Sequence, residues 1–176
     1  MRSLNLILIV SALTAACATP TTVKHQQSEE MAQAQIAGRP VLIYQVQTKY
    51  LQNISPQGGY TQVKFINTSD RRFVAIAFEV VPYADGEPIL QTVSAPVVFG
   101  AKGNFNSGGY YSVTSARPVW PADMRYRVNC VHLVGLVLQF ADGQIERVDR
   151  GQIANYLNSK IVPQNCSNPS TPGPHN

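Results

Sequence analysis

Apolar and polar positions alternate along residues 72–81. Val74, Ile76, Phe78 and Val80 fall on one face, and Phe73, Ala75, Ala77 and Glu79 on the other. A period of two over that length predicts a strand. The same reading gives a first strand at 41–46 (Val41-Leu42-Ile43-Tyr44-Gln45-Val46) and a second at 60–66, opened by Gly58-Gly59. Asn67-Thr68-Ser69-Asp70 is a turn between the second and third strands, and Asp85-Gly86 closes the third. Residues 92–99 suit an edge strand, because Pro96 cannot donate to a central ladder. The glycine-rich stretch 100–109 reads as a loop and 110–115 as another strand. The apolar run 127–140 has apolar residues on both faces, as a central strand requires, and Asp142-Gly143 turns it into a hairpin partner at 144–148. A short helix is expected around residues 150–158. About seven strands at this spacing predict a mainly β fold, a single antiparallel β-sandwich.

The two ends of the chain have a different character. Residues 1–16 run from a basic start at Arg2, through an apolar stretch interrupted by Asn5, to small residues just before Cys17. That order is a secretory signal peptide, and its apolar run is shorter than the roughly 20 residues of a membrane-spanning helix. Leu13-Thr14-Ala15-Ala16-Cys17 resembles the lipobox of bacterial lipoproteins, with Thr14 where leucine is commonest. The resemblance implies cleavage before Cys17 and acylation of that cysteine. Several acyl chains hold firmly where one is marginal, since each buried CH₂ contributes about 0.8 kcal/mol. Ala18 follows the cysteine in place of the aspartate that marks inner-membrane retention in that family, which implies an outer-membrane lipoprotein facing the periplasm. Residues 17–39 then read as a lipidated N-terminus and flexible tether, with room for a helical turn or two in 28–36. Residues 40–166 form the sandwich domain. Residues 167–176, proline-rich and without a large apolar side chain, read as a disordered tail.

Composition narrows the function classes. Loss of residues 1–16 leaves 160 of the 176 residues, enough for one core. Arg2 is the only charge removed from 14 basic side chains, leaving 13 against 10 acidic and a net charge of +3. Arg71-Arg72 is the single adjacent basic pair of the body, so the clustered stripe of a nucleic-acid-binding protein is missing. With Cys17 assigned to lipid, Cys130 and Cys166 most simply pair in an oxidising compartment; two free thiols or a bridge to a partner are the alternatives.

The body also resembles a known domain type. Val63-Lys64-Phe65-Ile66-Asn67-Thr68-Ser69, followed by Phe78-Glu79-Val80-Val81-Pro82-Tyr83-Ala84-Asp85-Gly86, is similar to the turn and strand rhythm of bacterial FxLYD-like sandwich domains. The segment from Cys130-Val131 to Asp142-Gly143 is similar to their last hairpin. About half of the body is covered. The resemblance implies an immunoglobulin-type fold and transfers no site.

Candidate chemistry is sparse. Cys130 and His132 share a strand face, but a zinc or copper site needs further ligands, and the remaining histidines, His25 and His175, lie in the tether and tail. No Gly-x-Ser-x-Gly occurs, and the 100–109 loop lacks the Gly-Lys-Ser/Thr ending of a phosphate loop. No catalytic residue, metal or cofactor is expected. Aromatic residues around 100–126, namely Phe105, Tyr110, Tyr111, Trp120 and Tyr126, are the candidate binding surface, since such residues are enriched where proteins meet. The expected function is a lipid-anchored, non-enzymatic binding or assembly module of the cell envelope, partnered by an envelope protein, a secretion or assembly complex, or peptidoglycan. A periplasm-facing hydrolase or hydrolase inhibitor is the alternative.

Overall fold

In the computed structural model of the chain, residues 20–51, 58–84, 86–89, 95–121, 128–158 and 166 are described. Helix α1 (Pro20–Ile36) comes first. It is followed by strands β1 (Val41–Leu51), β2 (Gly58–Asn67), β3 (Phe73–Ala84), β4 (Glu87–Pro88), β5 (Val97–Phe105), β6 (Tyr110–Thr114), β7 (Trp120–Pro121), β8 (Val128–Phe140) and β9 (Ile145–Val148), and by a 3-10 turn at Ile153–Tyr156. All strand pairings are antiparallel. One sheet runs β1-β2-β6, with β7 beside β2. The other runs β4-β3-β8-β9, with β5 beside β3. Chain order crosses between the sheets after β2, β5 and β7, the Greek-key habit of immunoglobulin-type sandwiches. β4 and β7 are only two residues long, so seven longer strands carry the sandwich among the described residues. The expected mainly β sandwich and the short C-terminal helix are both present.

The core lies between the sheets and is built on aromatic contacts. Phe65 of β2 is fully buried, with its ring 5.8 Å from Phe78, 5.7 Å from Phe105, 5.6 Å from Tyr111 and 6.4 Å from Phe73. Val41, Ile43, Val63, Leu133, Leu136, Leu138 and Val148 belong to the same cluster. Ile153 and Leu157 of the C-terminal segment enter it too, and Asn158 donates its backbone N–H to the Ile43 carbonyl at 2.7 Å.

Three local expectations are corrected. A bulge between Phe73 and Ala75 shifts the register of β3, so Phe73, placed by alternation on the face away from Ile76, Phe78 and Val80, is fully buried with them, and Val74 is only half-buried. Burying the larger ring outweighs strict alternation, because the extra residue of a bulge re-aims a side chain. The loop expected at 100–109 is strand as far as Phe105, since pairing with β3 and the burial of Phe105 carry the ladder past Gly100 and Gly103. The segment read as a flexible tether is helical from Pro20 to Ile36, well beyond one or two turns within 28–36. Its sequence is mostly Gln, Glu, Ala, Met and Lys, all good helix formers. Ala34 is fully buried against Leu42 and Ile66 on the outer face of the first sheet, with Met31 and Tyr44 alongside. A glycine cap ends the helix. Gly38 has φ +65°, Arg39 N donates to the Ala34 carbonyl at 2.9 Å and Gly38 N to the Gln35 carbonyl at 3.0 Å, the two bonds of a Schellman motif. The disordered tail expected at 167–176 and the signal peptide lie outside the described residues.

Candidate functional site

The two body cysteines form a disulfide. Cys130 sits half-buried in β8, and Cys166 is buried, with their Cα atoms 5.6 Å apart. His132, on the same face of β8, lies edge-on to Tyr83 with ring centroids 6.1 Å apart. Burial first, and Arg150 second, hold its imidazole below the ordinary histidine range. No group of three or more His, Cys, Asp or Glu is placed to hold a metal ion among the described residues. Cys17 lies outside them.

Among the described residues, the aromatic side chains singled out in the sequence do not form one surface. Phe105 is only 7% exposed and belongs to the core, where its ring meets Tyr111 at 5.1 Å. Tyr111 is half-buried beside it, its hydroxyl accepting from the Asn106 backbone N–H at 2.6 Å. Tyr110 points to the opposite side of β6, exposed, edge-on to Tyr44 at 6.2 Å. Burial, and then Tyr110, push the Tyr44 hydroxyl above its usual range. Trp120 brings its backbone alongside Gly59 in β7, and Tyr126 lies outside the described residues. Successive residues of a strand face opposite ways, which divides Tyr110 from Tyr111.

One end of the sandwich is tied by a single amide. Asn67 is fully buried; its side-chain N–H groups donate to the carbonyls of Arg71 at 2.8 Å and Phe105 at 2.9 Å. Its oxygen accepts from the Ser69 N–H at 3.0 Å and hydroxyl at 2.8 Å. The β2–β3 and β5–β6 connections are thereby locked together. Asn67→Ala leaves two carbonyls without these donors and is expected to cost about 3 kcal/mol of stability by denaturant titration. Beside this knot, a polar cleft of about 510 Å³ lies between Gln35, Arg39, Asp70, Arg71, Ser107 and Glu146. Its charges are largely engaged. Arg71 lies over the Phe140 ring and pairs with Asp142 and Gln144, and Arg39 donates to the Asn155 carbonyl. The backbone N–H of Gln144, followed by Arg71, holds the Asp142 carboxyl below the usual carboxylate range.

The outer face of the β5-β3-β8-β9 sheet is different. Register sets its side chains in rows across the strands. Val98 stands beside Glu79 and Gly135. Gly100 stands beside Ala77, Val137 and Arg147. Lys102 stands beside Ala75, Gln139 and Ile145. The middle row is small at its β5 end, so the face sinks into an apolar trough of about 360 Å³, with Gly100, Ala77 and Val137 as its floor. Ile145, in its lining, is 65% exposed, and Val98, one row away on β5, is 60% exposed. Only glycine fits at position 100, because a Cβ there would run into the Ile76 carbonyl oxygen and the Ala77 Cα. Glu79 reaches across Gly135 to pair with Arg147 at 2.8 Å and bounds the trough on one side. Further along the same face Val81, paired with His132, is fully buried. The face is therefore covered near the disulfide and open over the trough. Aromatic-centred sequence reading passed over this site. The available signal was the run of small residues, Ala75 and Ala77, on the non-core face of one strand.

These features define a disulfide-bonded, two-sheet β-sandwich with an apolar trough that is open among the described residues. Comparisons with protein-family models, with curated proteins and with solved structures found no match to this chain.

Proposed function

We propose that the chain is a binding or assembly module of the bacterial cell envelope, without catalytic activity, held at the outer membrane by lipid on Cys17 and facing the periplasm. The observation that carries this reading is the trough. A sandwich that had only to fold would present polar side chains on its outer sheet face, whereas Ile145 stands exposed at a trough lined by Gly100, Ala77 and Val137, with Val98 exposed in the neighbouring row. The Cys130–Cys166 bridge suits an oxidising compartment such as the periplasm. Helix α1 begins three residues after Cys17 and is 17 residues, or about 25 Å, long. A lipid at Cys17 therefore confines the domain to a thin layer at the membrane, where a weak contact gains from high effective concentration. The partner is an envelope protein or assembly complex. Crosslinked purification from native membranes tests the reading by comparing the wild type with Cys17→Ser. A stoichiometric partner that is lost when the anchor is lost is the expected result; wild-type protein free of any partner refutes it.

A further inference from the structure

We propose that the outward edge of β5 takes up an extended strand of the partner protein, one of whose large apolar side chains enters the trough over Gly100. This deepens the binding-module reading and rests on it. Among the described residues β5 pairs only with β3, in unbroken register from Ala75↔Lys102 to Val80↔Val97. Its other edge presents a row of main-chain donors and acceptors, and the complement of such a row is a second extended backbone. Protected edges carry charges, prolines or bulges. Here Pro96 precedes the strand and the bulge opposite Phe73/Ala75 follows Lys102, which leaves 97–101 regular and without a charged side chain.

The trough runs crosswise to the strands and opens at this edge. Gly100, without a side chain, is the β5 end of its floor, which continues over Ala77 and Val137; Lys102 and Ile145 line one side, and the row of Val98 and Glu79 is next to it on the other. A side chain of an added strand set beside Gly100 therefore has a clear path across β5, one that a Cβ at position 100 would obstruct. Lys102 has no carboxylate within ion-pairing distance among the described residues, so the incoming strand is matched by an acidic residue close to the anchor. The occupant is thus an extended segment of alternating apolar pattern, with one large apolar side chain opposite Gly100 and an aspartate or glutamate opposite Lys102.

The test uses the lipidated full-length protein in native membranes, with the photo-crosslinking residue benzoylphenylalanine replacing Val98, Ile145 or, on the other sheet, Tyr110. The expected result is one protein partner crosslinked from Val98 and Ile145 at about ten times the yield from Tyr110. The adduct peptide should be a single stretch with apolar residues at alternate positions. Ala77→Leu, which fills the trough from its floor, is expected to cut both yields about tenfold. Val98→Lys should do the same for the label at Ile145. An unchanged melting temperature confirms that each variant folds. If a partner is captured equally from Tyr110, or capture ignores both substitutions, the strand site is wrong and the binding-module reading survives. Adducts with lipid alone, or with a second copy of this chain, also overturn the strand site. If nothing is captured from any position and nothing co-purifies, both readings fall.

Discussion

Phe65→Ala is expected to cost about 4 kcal/mol, the largest loss from any single core truncation in this molecule. Phe65 is fully buried in β2, yet its ring reaches Phe73 and Phe78 of β3, Phe105 of β5 and Tyr111 of β6. Truncation therefore opens a cavity where the two sheets meet, between side chains whose backbones are already fixed by ladders. Such a site collapses poorly, so the cavity term adds to the lost transfer free energy. Guanidinium titration is the measurement, with a lower midpoint at unchanged slope as the signature. Phe65→Leu should recover about half of the loss, since it keeps much of the apolar volume. A loss below about 1 kcal/mol would mean that the two sheets do not share this cluster.

Reducing the Cys130–Cys166 bridge is expected to cost nearly as much. The cysteines are 36 residues apart in sequence, and closing a loop of that size removes about 4 kcal/mol of chain entropy from the unfolded state in the chain-entropy model. The bridge holds the end of the chain against β8, and the segment before it places Ile153 and Leu157 in the core. The comparison to make is a thermal melt of the oxidised protein against the same protein in excess dithiothreitol, with Cys166→Ser as the covalent control. A matching drop in midpoint for both is the expected outcome. A drop for Cys166→Ser without one in reductant would place the effect in packing at that position and not in the crosslink.

Much of the fold was legible because it depends on short-range chemistry. Alternation marked the strands, and Gly86 and the Asp142-Gly143 pair sit where β3 turns to β4 and β8 to β9, with Gly86 at φ +86° and Gly143 at φ +88°. Cys130 and Cys166, the two cysteines of the body, were expected to pair, and they are joined. The bulge at Phe73 was not legible. A one-residue shift follows from which large ring the opposing sheet has room to bury, and the opposing sheet is distant in sequence. Nor was the length of α1, whose final turns are held by the outer face of a sheet formed later in the chain.

The candidate site divides the same way. Residue type alone drew attention to aromatics, but Phe105 and Tyr111 are occupied in the core and Tyr110 stands apart on the outer face of β6. The trough is made of Gly100, Ala77 and Val137, none of which carries chemistry of its own; each matters only through the neighbours that strand register brings alongside. By itself the sequence determined most of the strands, their turns and the sandwich class, because periodicity and turn stereochemistry act locally, and it favoured Cys130 and Cys166 as a pair over free thiols. Tertiary structure alone decided which ring fills the centre and where the outer face sinks, since both depend on strands from four parts of the chain being set side by side.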